Sequence, residues 1–119
     1  MSEKSQKVEN EAPAHKAVID SLLLAIRGVE AGELSGFAAY FVSQKMFACI
    51  NGNGVGMRLP AASARDLIFS NKDASPFQPR GRPSTPEWVQ LDHADPADFL
   101  KDEELFRASI EFVRNARSR

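Results

Sequence analysis

Between Lys45 and Pro60 the chain all but spells a β-hairpin. The apolar run Met46-Phe47-Ala48-Cys49-Ile50 and the run Val55-Gly56-Met57-Arg58-Leu59 flank Asn51-Gly52-Asn53-Gly54. An Asn-Gly turn between apolar runs is the strongest local hairpin signal, because only Gly and Asn readily take the positive φ that tight hairpin turns need. A two-residue loop on Gly52-Asn53 pairs Ile50 with Val55, Ala48 with Met57 and Met46 with Leu59. Side chains alternate along a strand, so Met46, Ala48, Ile50, Val55, Met57 and Leu59 share one wholly apolar face. That face must meet helices. The opposite face carries Phe47, Cys49, Gly56 and Arg58.

The second face is the more informative one. A further strand at Trp88–Leu91 with Val89 and Leu91 in the core sets Trp88 and Gln90 beside Arg58. A face showing Phe47, Cys49 and Trp88 is too apolar to stand in water. The proline-rich segment, a second subunit or a ligand should cover it. Gly56 leaves room there for a close approach.

The rest of the chain supplies the helices. Residues 1–13 are polar and read as a disordered tail, with one domain over 14–119. Val18, Ile19, Leu22, Leu23 and Ile26 make a helical stripe over Ala14 to Arg27, with Gly28 as its stop. Residues 29–36 read as a connection. Phe37 to Val42 is a strand turning at Ser43-Gln44. Pro60 opens a short helix, Ala61 to Phe69. Residues 70–87 read as irregular, with a short edge strand at Phe77 to Pro79. Asp95-Pro96 and Asp102 are caps for a C-terminal helix whose stripe is Phe106, Ile110 and Val113. The order α-β-β-β-α-β-α predicts an α+β fold with an antiparallel sheet of four to five strands.

Charge and composition narrow the function. The single cysteine, Cys49, excludes an intrachain disulfide and suits a reducing compartment, so the cytoplasm is expected. The aliphatic run Leu22 to Ile26 is far too short to span a bilayer, and no membrane partner is expected. Residues 35–90 carry six basic against three acidic side chains, between acidic flanks. That points to an anionic partner, a nucleic acid among them. Lys72, Arg80 and Arg82 in the proline-rich loop, with Arg58 behind them, are candidate phosphate or anion contacts. Trp88 is the candidate stacking wall for a base or another planar ligand, and Gln90 its neighbour. Arg58, Arg82 and Trp88 are expected to lie near one another on one side of the sheet. Cys49 reads as an inert buried thiol, and His15 and His93 as surface residues. No nucleophile–base pair, paired carboxylates or metal-ligand spacing is present, so neither an enzyme nor a cofactor is expected.

Several of these elements together carry a family resemblance. Lys45-Met46-Phe47-Ala48, Met57-Arg58-Leu59-Pro60, Phe77-x-Pro79, Gly81-Arg82-Pro83 and Trp88-Val89, in this order, resemble the TfoX N-terminal domain family. These are small α+β domains of bacterial competence regulators and stand-alone proteins, similar in architecture to the MmcQ/YjbR family. The resemblance spans residues 18–116. The Met-Phe-Gly-Gly element usual in that family is Leu34-Ser35-Gly36-Phe37 here, and the second, helical domain of the full regulators is not expected within these residues. The resemblance implies this fold and a homodimer; the expected role is a non-enzymatic binding or regulatory module with a nucleic acid or a regulatory protein as partner, the alternatives being a nucleic-acid binder using the basic loop 72–82 or a small-molecule-binding protein or enzyme using the mixed sheet face.

Overall fold

The computed structural model describes residues 13–82 and 84–116, and of Arg80 only the backbone. The tail expected over residues 1–13 therefore lies outside the described residues, apart from Pro13. The elements run α1 (Pro13–Leu23), β1 (Val29–Leu34), β2 (Phe37–Val42), β3 (Lys45–Asn51), β4 (Gly54–Arg58), α2 (Ala61–Ser70), β5 (Ala74–Pro76), β6 (Trp88–Asp92) and α3 (Glu103–Asn115). Short 3₁₀ segments lie at Pro79–Gly81 and Pro96–Asp102. The fold is α+β, and the sheet is antiparallel with the order β1-β2-β3-β4-β6-β5.

The central hairpin follows its turn chemistry. Ile50 pairs with Val55 and Ala48 with Met57 around Gly52-Asn53, and Gly52 takes φ 68°. Ser43 and Gln44 both adopt positive φ (51° and 65°), the I′ geometry whose twist suits a hairpin.

Among the described residues the sheet has six strands, more than the four to five expected. The expected connection at 29–36 is the extra strand β1, joined to β2 through Ser35 (φ 55°) and Gly36 (φ 86°). Helix α1 stops at Leu23, short of Arg27, and Gly28 (φ 87°) turns the chain into β1. The edge strand next to β6 is Ala74–Pro76 rather than Phe77–Pro79. Pro76 is tolerated there because an edge position needs no outward N–H.

A bulge alters the face assignment. Tyr40 pairs with Ala48 but Phe41 with Met46, so Phe47 has no partner across the strand. The extra residue reverses the parity beyond it. Phe47 therefore enters the main core with no exposure, and Met46 packs on the opposite face.

The core lies between the sheet and its helices. Ala48, Ile50, Val55 and Met57 meet Ile19 and Leu23 of α1, Ala64 of α2, Phe99, and the predicted stripe Phe106, Ile110 and Val113 of α3. Asp95 caps as expected, accepting from the Ala97 N–H at 3.0 Å. Asp102 makes no cap bond. It instead accepts at 2.7 Å from Nε2 of His93, whose Nδ1 lies 3.4 Å from Asp73. His93 and His15 are thus not surface residues. His15 Nε2 donates to the His93 carbonyl at 2.8 Å, its Nδ1 is buried without a partner among the described residues, and both rings edge against Phe99.

Candidate functional site

The face of the sheet turned away from the helices is apolar as well. Phe37, Ala39 and Cys49 are buried there, with Phe41, Met46 and Trp88 half-buried around them. Alternation along β2 puts Phe37, Ala39 and Phe41 on this side and Tyr40 and Val42 on the other. Among the described residues, Phe77 lies over this face at Gly56 and Trp88. Its ring occupies the space where a side chain at Gly56 would stand, and stacks on Trp88 at 5.3 Å with a 30° tilt. The missing Cβ of Gly56 is therefore used by a ring of the same chain.

Phe77 covers only part of the face. Beside it an open cleft of about 640 Å³ is floored by Phe37, Met46 and Cys49, walled by Phe77 and Trp88, and rimmed by Arg82. Leu34, at the end of β1 and 48 % exposed, closes one side. Burial pushes the Cys49 thiol up to about 11, against a smaller opposing effect of a backbone hydrogen bond with Gly56. The thiol is thus protonated and unreactive at neutral pH.

The other expected site residues disperse. Arg58 and Trp88 are cross-strand partners at one end of β4 and β6. The Arg58 guanidinium, however, is held by Glu87 (Nε to Oε1, 2.8 Å) and lies 5.4 Å from the centroid of the Phe112 ring on α3. It serves the join between sheet and helix. Gln90 is buried under β5, donating to the Asn51 carbonyl (3.1 Å) and to Asp92 (2.8 Å) and accepting from Asn51 Nδ2 (3.3 Å). All its polar atoms are satisfied by the chain itself, which makes it structural. Lys72 is fully out in solvent, 3.5 Å from Asp73. It sits at the Asp92 end of β6, whereas Arg82 and Trp88 gather at the other end, about 13 Å away along a five-residue strand. Arg80 lies in the 3₁₀ turn Pro79–Gly81, and its side chain is outside the described residues. Of the six residues singled out in the sequence, Arg82 and Trp88 line the cleft. Phe37, Met46 and Phe77, which complete it, were missed. The alternation in β2 was the available signal for Phe37.

A second depression, about 810 Å³, runs between α2 and α3 over Leu59, with Leu67 and Phe112 inside and Asp66 and Glu111 at its rims. It is larger, but its rim charges are acidic, and it lies across the sheet from the aromatic cleft. Among the described residues no group of three or more His, Cys, Asp or Glu side chains could hold a metal ion. No helix of the described residues is long and apolar enough to cross a membrane.

The fold and cleft define a small α+β domain with a one-sided helical layer. No family model matches this chain, and neither a curated protein nor a solved structure matches it.

Proposed function

We propose that this protein is a non-enzymatic binding or regulatory module of the TfoX N-terminal type, acting as a homodimer, with its ligand surface on the open face of the sheet. The observation that carries this reading is the cleft at Trp88: an apolar, aromatic-walled hollow with Arg82 as the one cation at its rim among the described side chains. Pockets of this make-up bury a flat apolar body and fix its orientation through one polar contact. The ligand class is a planar molecule bearing one anionic group, its ring against Trp88 and Phe77 and its charge at Arg82. Cys49, the thiol in the cleft, is held protonated, which supports binding over covalent chemistry.

Nucleic acid is the second reading. A base stacked on Trp88 with its phosphate at Arg82 would use the same chemistry. The distance of Lys72 from Arg82 and the engagement of Arg58 by Glu87 weigh against a continuous basic track.

The test uses Trp88 as its own reporter, since it is the only tryptophan. Anilinonaphthalene sulfonate, aromatic carboxylates and short single-stranded oligonucleotides are titrated while Trp88 emission and the melting temperature are followed. The planar anions should quench Trp88 and raise the melting temperature, because a ligand that binds only the native state stabilises it. Arg82→Ala should weaken that binding. A nucleic-acid site would show instead a salt slope of about −0.7 per phosphate neutralised. Unchanged Trp88 emission with every probe would overturn the cleft as the binding surface.

A further inference from the structure

The two edges of the sheet are built differently. At one edge β5 is three residues long and ends in Pro76, which has no N–H to offer a neighbour. At the other, β1 is a regular six-residue strand, Val-Glu-Ala-Gly-Glu-Leu, paired among the described residues with β2 alone. It contains no proline and no lysine, the usual guards of an exposed edge. Every residue from Glu30 to Leu34 is exposed. An edge of that length and regularity is a template for another strand.

The charges select the strand that fits. Arg27 is exposed just before β1, and Glu33 is exposed near its far end. An antiparallel copy of the same strand brings opposite ends together, so each Arg27 comes to the other copy's Glu33. A two-fold axis normal to the sheet keeps helix side with helix side, so a residue can face only residues of its own parity. Centred on Ala31, the pairing sets Glu30 against Gly32 and Val29 against Glu33. No carboxylate then opposes another directly, and the two Glu30 side chains come only to a diagonal, about 7–8 Å apart. Centred on Glu30, the pairing would put like charges face to face. Centred on Gly32, it would move Arg27 out of reach of Glu33.

We propose that β1 is a self-complementary docking edge, through which two copies of this chain pair antiparallel about Ala31 and join their sheets into one. This rests on the homodimer reading and assigns its surface. It also brings the second copy to exposed Leu34, the residue that closes one side of the cleft.

Sedimentation equilibrium over a wide concentration range tests it, with circular dichroism as the check on folding. The wild type should show twice the chain mass. Ala31→Asp sets like charges opposite each other at the axis and should raise the dissociation constant about fivefold or more. Arg27→Glu and Glu33→Arg should each weaken the dimer, and the double variant should restore it. These residues are exposed, so the charge swaps keep the test decisive even if Ala31→Asp fails to fold. A monomer at every concentration overturns both the edge and the homodimer reading. A dimer indifferent to all four variants overturns the edge alone. Weakening by both single swaps without rescue by the double overturns the register about Ala31.

Discussion

The two faces of the sheet are both apolar, yet they are finished differently. On the helix side Phe47, Ile50, Val55 and Met57 have no exposure, sealed by three helices and the 3₁₀ segment at Phe99. On the other side Phe37, Ala39 and Cys49 are buried in a small cluster with Phe77, and Phe41, Trp88 and Met46 stay half-buried around it. A sheet apolar on both faces normally carries a layer on each. Among the described residues the second layer is a fragment. The difference separates a face that holds the fold together from a face that is left available.

Removing a side chain from each face should separate them most strongly. Phe106→Ala, at the centre of the helix layer, should cost about 3–5 kcal/mol in urea unfolding. Phe37→Ala should cost less than half of that, because its site opens into the cleft. Equal costs would break the comparison.

Alkaline pH probes the open face through Cys49. Its thiol is raised from 9.0 to about 11 in the folded protein, so the fold favours the protonated form. That contribution is fully present below pH 9 and disappears as pH rises through about 11. The loss should be about 2–3 kcal/mol, and Cys49→Ala should unfold with a flatter alkaline profile. The native thiol should also resist alkylation at neutral pH and react once unfolded.

Gly56→Ala tests Phe77 as the cover. A Cβ at Gly56 meets the Phe77 ring, which must move or strain. The expected cost is about 1–3 kcal/mol, together with a change in Trp88 emission as the Phe77–Trp88 stack is disturbed. The smallest effect on stability belongs to the surface cations. Arg82→Ala and Lys72→Ala should each alter stability by no more than about 0.5 kcal/mol. Only the Arg82 variant should lose affinity for a planar anion.

Much of this contrast was legible in the sequence where local chemistry decides. Gly52-Asn53 and Ser43-Gln44 carried their turns, and the period-2 pattern between Ala48 and Met57 assigned the core face correctly. What escaped depended on context. Strand β1 contains Glu30, Ala31, Gly32 and Glu33, poor strand formers with neither face buried, so no periodic signal marked it. The bulge that exchanges Met46 and Phe47 was hidden because both residues are apolar and either suits a core. His15 and His93 lie far apart in sequence, and only the meeting of α1 with the Pro96–Asp102 segment buries them. The candidate site was half legible. Trp88 and Arg82 were visible as residue types, but the fold-back that brings Phe77 over Gly56 and leaves Lys72 at the other end of β6 belongs to a proline-rich loop with no period to read.

The most direct measurement is an amide chemical-shift map of the uniformly labelled protein titrated with anilinonaphthalene sulfonate. The perturbed amides should cluster on Phe37, Met46, Cys49, Phe77, Arg82 and Trp88, with the α2–α3 groove silent. Perturbations centred instead on Leu67, Leu105 and Phe112 would contradict it.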